Sequence, residues 1–297
     1  MQPEKCNMQI SLLVADRWKM DGGVAFGVVP KSLWSKIYPA DENNLNDIVT
    51  RCLLISKGDR HIIIDAGMGN KRDAKYYKYR YRHEQDLLLN ELTINRLSPA
   101  DITDIVFTHL HDDHVGGATT MDTTSGKSVP LFRNASYWCS QAQWEWAMNP
   151  NKREGAAYFY DNLQPLFKTG RLKFIHEQED WLPGISFRIM NGHTMGQLIP
   201  IIDFNDLKLV FVADFIPTTA HIPISYVPSV DIQPLVTMSE KEIFLEEAAD
   251  NGYVLVFQHD AYNECCTVKR TEKGVTIKST FTFSELNKLI RDTDLAH

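Results

Sequence analysis

Apolar and polar positions alternate along the chain in a pattern that predicts strands and helices in turn. The runs "MQISLLVAD" and "GVAFGVV" predict strands, and "DIVTRCLLISKGDRHIIIDAG" predicts a hairpin with "KGDR" as its turn. In "EQDLLLNELTINRL" the apolar residues recur at helical spacing, and "DITDIVFTH" then predicts a buried strand. Strands and helices thus follow one another without a recognisable linker.

The second half of the chain repeats this order. Residues 140–167 predict an aromatic helical segment that breaks at Pro150, followed by strands at "KFIHE", "ISFRIMN", "LIPIIDF" and "LKLVFVAD". A helix is predicted from Ser239, because Ser239 and Glu242 have the spacing of a capping box. Strands "YVLVFQHD" and "CTVKRT" and a helix "SELNKLIRD" complete the pattern. The order predicts an α+β fold with two sheets between outer helices, with residues 1–297 as one domain or two intimately joined halves.

Composition narrows the class of protein. Of the 297 residues, 43% are hydrophobic and 23% charged, enough for a large core, and no apolar run is long enough to span a bilayer. The first residues lack the pattern of a signal peptide, so we expect a soluble cytoplasmic protein. The cysteines lack paired CxxC spacing, which favours packing roles in a reducing compartment. They are Cys6, Cys52, Cys139, Cys265 and Cys266.

The net charge of −7 disfavours nonspecific binding to nucleic acid or to an anionic membrane. One segment departs from it: residues 71–83, "KRDAKYYKYRYRH", contain six Lys or Arg, one Asp and four Tyr. We expect a solvated loop that runs into a helix. A lid over an organic anion and a stacking surface for single-stranded nucleic acid are the alternatives.

A cluster of metal-binding side chains follows the strand "DIVF". In "THLHDDHVGG", His109 and His111 lie two positions apart and can face one point, while the turn brings Asp113 and His114 to an adjacent one. Burying so many imidazoles and carboxylates without partners is unfavourable, which disfavours a purely structural role.

Three other predicted strands end in the same residue types. They end at His193 in "MNGHT", at Asp214 in "LVFVAD" and at His259 in "VLVFQHD". Together with the turn they offer five histidines and two aspartates, enough for two metal ions. Nitrogen and carboxylate ligands without thiolate suit zinc, with iron or manganese as alternatives.

This set of motifs resembles the metallo-β-lactamase fold superfamily. The resemblance rests on "HIIIDAGMG", "THLHDDHVGG", "GHT", and the aspartate and histidine that end the later strands, and it extends from about residue 48 to 260. It implies a four-layer αββα sandwich of two similar halves and two divalent metal ions. By the same resemblance His109, His111 and His193 bind the first ion, Asp113, His114 and His259 bind the second, Asp214 bridges them, and Asp65 orients the ligand turn.

Within the superfamily, the lactonase and organophosphate-hydrolase branch is the most similar. "FGVVPKSLW" and "ADFIPTTAHIPISYV" look like segments of that branch. Two positions depart from it: Pro217 stands where many acyl-homoserine-lactone lactonases have a tyrosine, and Gln197 where many relatives have a second histidine. The resemblance implies hydrolysis of an ester or lactone bond in a small organic molecule. It also makes a homodimer plausible.

Two metal ions at such a site produce hydroxide at neutral pH, and Asp113 can then pass a proton to the leaving group. His221 and Tyr226, in the loop after Asp214, are candidates to donate a hydrogen bond to the developing oxyanion. A phosphotriesterase, a thioesterase related to glyoxalase II and a β-lactam hydrolase are alternative activities. A metal-binding sensing module without turnover is the alternative that is not an enzyme.

Overall fold

The computed structural model describes residues 8–84, 87–176 and 181–294. The strands in those ranges are β1 (Met8–Asp21), β2 (Leu45–Lys57), β3 (Arg60–Ile64), β4 (Asp104–Val106), β5 (Thr119–Met121), β6 (Ser128–Pro130), β7 (Ser136–Ser140), β8 (Leu172–Ile175), β9 (Ile185–Met190), β10 (Gln197–Phe204), β11 (Leu207–Phe211), β12 (Val254–Val256), β13 (Cys265–Thr271) and β14 (Gly274–Phe281). The α-helices there are α1 (Gly22–Phe26), α2 (Lys31–Trp34), α3 (Ala74–Tyr79), α4 (Leu87–Ile94), α5 (Asp112–Val115), α6 (Gln141–Met148), α7 (Tyr160–Lys168), α8 (Pro234–Asn251) and α9 (Phe283–Asp294).

Most of these strands form two large sheets. The first has the order β1-β2-β3-β4-β7-β8 and the second the order β14-β13-β12-β11-β10-β9. In the first sheet β1, β2 and β3 are antiparallel, and β3, β4, β7 and β8 are parallel. In the second sheet only the pair β11 and β12 is parallel.

Three apolar clusters separate four layers. The central cluster joins the facing sides of the two sheets, with Ile55 and Ile64 from the first and Leu209 and Phe211 from the second. A second cluster packs the other side of the first sheet against α4, α6 and α7, and a third packs the second sheet against α8. The layers therefore run helix, sheet, sheet, helix, which confirms the predicted α+β class and the αββα sandwich.

The strand directions bring several strand ends to one edge. β3 and β4 are parallel, and β9 runs parallel to β11 because both are antiparallel to β10. Carboxyl ends of parallel strands lie at the same edge of a sheet. The residues after β12 then reach across to β2, where the amide of Arg51 donates to the carbonyl of Gln258 at 3.1 Å. The polar residues that follow these strands are thus collected between the two sheets.

Two element predictions were wrong. The run "GVAFGVV" begins with the short helix α1 and is not a strand, because the Asp21 carboxylate caps the amides of Gly23 and Val24. The helix predicted from Ser239 begins five residues earlier with Pro234 in its first turn, a position that suits proline. Ser239 instead lies inside α8, where its hydroxyl donates to the carbonyl of Leu235 at 3.1 Å.

Cys52, Cys139, Cys265 and Cys266 are buried free thiols, in keeping with packing roles, and Cys6 lies outside the described residues. None of the helices in the described ranges is both long and apolar enough to cross a membrane.

Candidate metal centre

The turn after β4 lies directly against the segment that follows β3. The amide of Ala66 donates to the carbonyl of His114 at 2.7 Å. Gly117 makes this close contact possible, because a Cβ atom there would lie 2.0 Å from the carbonyl oxygen of Ala66. Two adjacent strand ends are thereby fixed to each other, and the turn carries its side chains into the space between the sheets.

Three histidine side chains meet in this space. Nε2 of His109 lies 3.0 Å from Nδ1 of His111, and Nε2 of His193 lies 3.2 Å from the same Nδ1. Nitrogen ligands about 2.1 Å from a tetrahedral zinc ion stand roughly 3.4 Å apart. We call His109, His111 and His193 the three-histidine cluster. The distances between their nitrogen atoms suit one shared metal ion.

A second group lies beside the first. Nε2 of His114 is 3.6 Å from Oδ1 of Asp113, and Nε2 of His259 is 3.8 Å from Oδ2 of the same carboxylate. Asp214 faces both groups: its Oδ1 lies 2.9 Å from Nε2 of His259, and its Oδ2 lies 3.3 Å from Nε2 of His193. The structure thus brings together all seven residues that the sequence predicts as metal ligands.

Several of these atoms have no hydrogen bond. Nε2 of His114, Nε2 of His259 and Oδ1 of Asp214 are buried and lie close to one another, but among the described residues none of them has a partner in hydrogen-bond geometry. An unbonded buried polar atom costs about 1–3 kcal/mol, so three side by side indicate that another group is to be bound. A cation that accepts their lone pairs satisfies all three. The donor set therefore fits a pair of divalent ions.

The surroundings favour the metal-binding protonation states of His109 and Asp214. Burial and the neighbouring imidazoles lower the pKa of His109 well below its ordinary value, so this ring is neutral at pH 7. Burial opposes ionisation of Asp214, but the neighbouring histidines outweigh it and hold the pKa of this carboxyl well below its usual range. Neutral imidazole and ionised carboxylate are the forms that coordinate metals. Although burial opposes it, neighbouring carboxylates raise the pKa of His114 and of His193, so a metal ion would displace protons from these two rings.

Asp65 lies behind the ligands, as expected for a residue that orients the turn. Its Oδ2 accepts from Nδ1 of His114 at 2.9 Å and from Gln258 at 2.9 Å, and both of its oxygens accept bonds from Thr108. These bonds fix the His114 ring and join the end of β3 to the turn after β4.

Two further carboxylates hold ligand rings, and the sequence reasoning missed both. Oδ1 of Asp231 lies 2.9 Å from Nδ1 of His193, and Oε1 of Glu154 lies 2.8 Å from Nε2 of His111. Both acids come from irregular segments outside the strand-end pattern. No motif in the sequence marks them.

The comparisons with known proteins decide the family. A model of the metallo-beta-lactamase superfamily matches residues 45–259. This chain belongs to the metallo-β-lactamase superfamily. The predicted resemblance is thereby confirmed, and no curated protein sequence matched the chain.

Solved structures agree with this membership. A probable metal-dependent hydrolase from Staphylococcus aureus is 32% identical, with a TM-score of 0.83 over 93% of this chain and 97% of that one. AidC, described as a dizinc quorum-quenching lactonase, is 22% identical, with a TM-score of 0.76 over 93% of this chain and 96% of that one. AbOPH, described as a hydrolase in the beta lactamase superfamily, is 19% identical, with a TM-score of 0.75 over 91% and 94%. The first match and the superfamily point to a metal-dependent hydrolase, and the other two show the shared fold.

A cleft opens beside the candidate metal ligands. Its empty volume, including the open mouth, is about 450 Å³, and its polar floor includes Asp113, His193, Asp214 and His259. The walls are mostly apolar and come from β1, α1, β2 and the loop after β11. Wall residues include Met20, Phe26, Ile48, Pro217, Pro228 and Val230.

The predicted oxyanion donors occupy different positions. His221 lines this cleft, but its Nε2 is paired with the carbonyl of Ala25 at 2.8 Å and its Nδ1 with the hydroxyl of Thr218 at 2.8 Å. Burial lowers the pKa of His221 to about 3, so the neutral ring has one N–H, which Ala25 accepts. Tyr226 packs edge-on against Phe26 in the apolar cluster behind the cleft. The oxyanion role of either residue stays a prediction, and this geometry does not favour it for His221.

The basic segment 71–83 runs into helix α3 as expected, and more than half of its residues are exposed, but three of its cations pack against the metal-binding turn and β1. Arg80 donates to both oxygens of the buried Asp112 at 3.0 and 3.1 Å, Arg82 pairs with the buried Asp16 at 2.8 Å, and Lys71 donates to the carbonyl of Gly116. Arg80 and Arg82 thus form ion pairs with two buried acids, and Lys71 donates hydrogen bonds to backbone carbonyls in and just after the turn. The segment contributes to the support of the turn.

Proposed function

We propose that this chain is a dinuclear metal-dependent hydrolase that cleaves an ester or lactone bond in a small organic substrate. The observation that carries the proposal is the convergence of seven nitrogen and carboxylate donors in two groups that share Asp214. In this proposal the three-histidine cluster, His109, His111 and His193, holds one ion. Asp113, His114 and His259 hold the other, Asp214 bridges, and zinc is the expected metal, with iron or manganese as alternatives.

When bound, two divalent ions at such a site lower the pKa of a water molecule towards about 7 and polarise the bond under attack. Asp113 lies at the floor of the cleft with a side chain that is 13% exposed, so it can reach both the second group and a substrate. We assign to its carboxylate the acceptance of a proton from the attacking water and the transfer of that proton to the leaving alkoxide. Asp65, Glu154 and Asp231 keep the ligand rings in place during this step.

The cleft supports the choice of a small organic substrate. Apolar side chains such as Phe26, Ile48 and Val230 form most of its wall, and the polar atoms lie at its floor. A neutral ester or lactone with an apolar substituent suits a cleft that has an apolar wall and a polar floor. The substituent would be buried against the wall while the carbonyl reaches the candidate metal ligands.

The test combines metal analysis with a substrate panel. Protein purified without added zinc is expected to contain about two equivalents of metal, and lactones, aryl esters, phosphotriesters, thioesters and β-lactams are assayed in parallel. Activity on a lactone or ester is expected to fall at least about 100-fold in His111→Ala, because a metal ligand is lost. His83→Ala, which alters an exposed histidine outside the site, is the matched control and should retain full activity.

Unchanged turnover in His111→Ala would defeat the proposal. Bound metal without turnover on any substrate of the panel would favour the sensing module instead. Iron together with oxygen consumption would favour a redox protein.

We further propose that residues 1–297 form a single domain, that the protein is cytoplasmic, and that it forms a homodimer. Its partner in the site is a small molecule and not nucleic acid. Size-exclusion chromatography with light scattering tests the homodimer.

A further inference from the structure

We infer that Glu154 is the positioning residue of the three-histidine cluster and sets the affinity of that cluster for its metal ion. The inference rests on the proposed function only in that the cluster holds an ion. It concerns a carboxylate that neither the sequence motifs nor the superfamily membership assigns.

Glu154 is buried and receives four hydrogen bonds. Oε1 accepts from Nε2 of His111 at 2.8 Å and from the hydroxyl of Tyr158 at 2.6 Å, and it also accepts from Thr194. Oε2 accepts from Nε1 of Trp146 at 2.6 Å. A carboxylate with its lone pairs occupied by four donors from separate segments cannot rotate without breaking several bonds.

The bond to His111 fixes the way that this ring faces the metal. The Nδ1 atom of His111 points at His109 and His193, so Nε2 on the opposite side of the ring is the atom that Glu154 holds. A carboxylate that accepts from the distal N–H of a ligand histidine fixes the tautomer and makes the metal-facing nitrogen more basic. Glu154 therefore acts on the metal through His111.

A second contact links Glu154 to another ligand. Thr194, which donates to Oε1, is the residue after His193, and its hydroxyl also contacts Tyr158 at 2.9 Å. Glu154 thus joins the segment after α6 to both of the strand ends that supply the cluster, those of β4 and β9.

The other group of ligands has different support. His114 is held by Asp65, and Nδ1 of His259 is paired with the neutral carbonyl of Val49 at 2.9 Å. None of the described contacts of Glu154 reaches His114, His259 or Asp113. Loss of the Glu154 charge should therefore affect the two metal sites unequally.

The experiment measures metal binding by the full-length metal-free protein. Calorimetric titration with Zn²⁺ gives the two affinities, and titration with Co²⁺ followed by visible absorption reports on ligand geometry. In Glu154→Gln one of the two affinities is expected to fall by about 10–100-fold, while the other changes by less than about threefold. The ring N–H resonance of His111 in the zinc-loaded protein should move upfield, because its acceptor is no longer charged.

Glu145→Gln is the matched control, since it removes one exposed carboxylate from the neighbouring helix α6. It should bind both ions as the unaltered protein does. If Glu154→Gln does not fold, Glu154→Asp keeps the charge but withdraws it by one methylene, and a smaller loss at the same single site is expected.

Equal weakening at both sites, or unchanged binding at both, would overturn the inference. So would weakening in Glu145→Gln, which would indicate a long-range charge effect. These outcomes are separate from those of the substrate panel: a protein that binds two ions and responds selectively to Glu154→Gln but cleaves no substrate refutes the proposed hydrolysis alone.

Discussion

Gly117 is the residue at which the metal-binding turn is most restricted. Its Cα faces the carbonyl of Ala66 so closely that a methyl group there would lie 2.0 Å from the oxygen, and Gly116 faces the carbonyl of Met68 in the same way. Both contacts are with backbone, which cannot move aside as a flexible side chain can. The paired glycines therefore set the distance between the turn and the end of β3.

Gly117→Ala is expected to lower the free energy of unfolding by about 1–3 kcal/mol, because the added Cβ pushes the turn away from Ala66. It should also weaken metal binding, since His114 and Asp113 lie in that turn. Chemical denaturation and metal titration of the variant measure both effects.

Gly155→Ala is the matched control, because a Cβ there meets only Pro150, at 3.7 Å. Its stability should stay within about 0.5 kcal/mol of the unaltered protein. A Gly117→Ala protein of unchanged stability and metal affinity would contradict the role given to this close contact.

Single residues also show what the sequence could not reveal about the site. The seven candidate ligands follow one motif and three further strand ends, so they could be picked out from the sequence. Glu154 and Asp231 stand in irregular segments, 43 and 38 positions from the histidines that they contact. Their roles depend on how those segments fold, which no local spacing encodes.

The loop after β11 is held to helix α8 by a buried lysine. Nζ of Lys241 donates to the carbonyls of Pro223, Ile224 and Tyr226 at 2.9, 3.3 and 2.9 Å. The same loop supplies the cleft wall at Pro217, Pro228 and Val230. Lys241 thus connects the shape of the cleft to the longest helix of the described structure.

Lys241 should give the stability a distinctive pH dependence. Burial lowers its pKa to about 7, whereas a lysine in an unfolded chain has a pKa near about 10.4. Between these values the unfolded state binds more protons than the folded state, so the free energy of unfolding rises with pH. Below about pH 7 both states hold the proton and the contribution is constant.

We therefore expect denaturation midpoints of the unaltered protein to rise from pH 7 to 10 relative to those of Lys241→Met, by up to a few kcal/mol in free energy. Lys36→Met, at an exposed lysine, should keep the pH slope of the unaltered protein. Parallel pH profiles for all three proteins would show that Lys241 does not titrate in this window.

Secondary structure was predicted correctly where the hydrophobic pattern extended over many residues. It was predicted wrongly where a single local contact determined the backbone conformation. The β2–β3 hairpin and the strands before His109, Asp214 and His259 are present as predicted. α1 was predicted as a strand because a short run of apolar residues is typical of strands. The hydrogen bonds from the Gly23 and Val24 amides to Asp21 instead begin a helix.

Segment 71–83 was expected as a solvated loop that runs into a helix, and α3 is present with about half of the segment exposed. Its charge did not reveal that Arg80 and Arg82 pair with the buried acids Asp112 and Asp16.

At the scale of the whole molecule, acidic groups concentrate where the two sheets meet. Asp113 and Asp214 face the ligands, and Asp65, Glu154 and Asp231 stand directly behind them. Asp113 and Asp214 lie close enough to repel each other, and bound cations would offset that repulsion. Metal binding should therefore stabilise the entire fold.

Removal of metal with a chelator is expected to lower the melting temperature by several degrees, and zinc should restore it. An ion at 1,000 times its dissociation constant adds about 4 kcal/mol per site to the folded state. Magnesium should restore little, since the donors are mostly imidazole nitrogens. Differential scanning fluorimetry with zinc, manganese, iron and magnesium measures these changes in melting temperature. A melting temperature that changes neither with the chelator nor with zinc would contradict a metal centre that joins the sheets.

The sequence by itself determined the chemistry of the ligands and the sandwich, because apolar periodicity defines strands and a strand end defines where its polar residue emerges. Only the tertiary structure decided which nitrogen of each ring faces its neighbours, which carboxylates stand behind the rings, and where the basic segment packs. These features depend on contacts between residues far apart in the chain, whose distances are set by the packing of the two sheets.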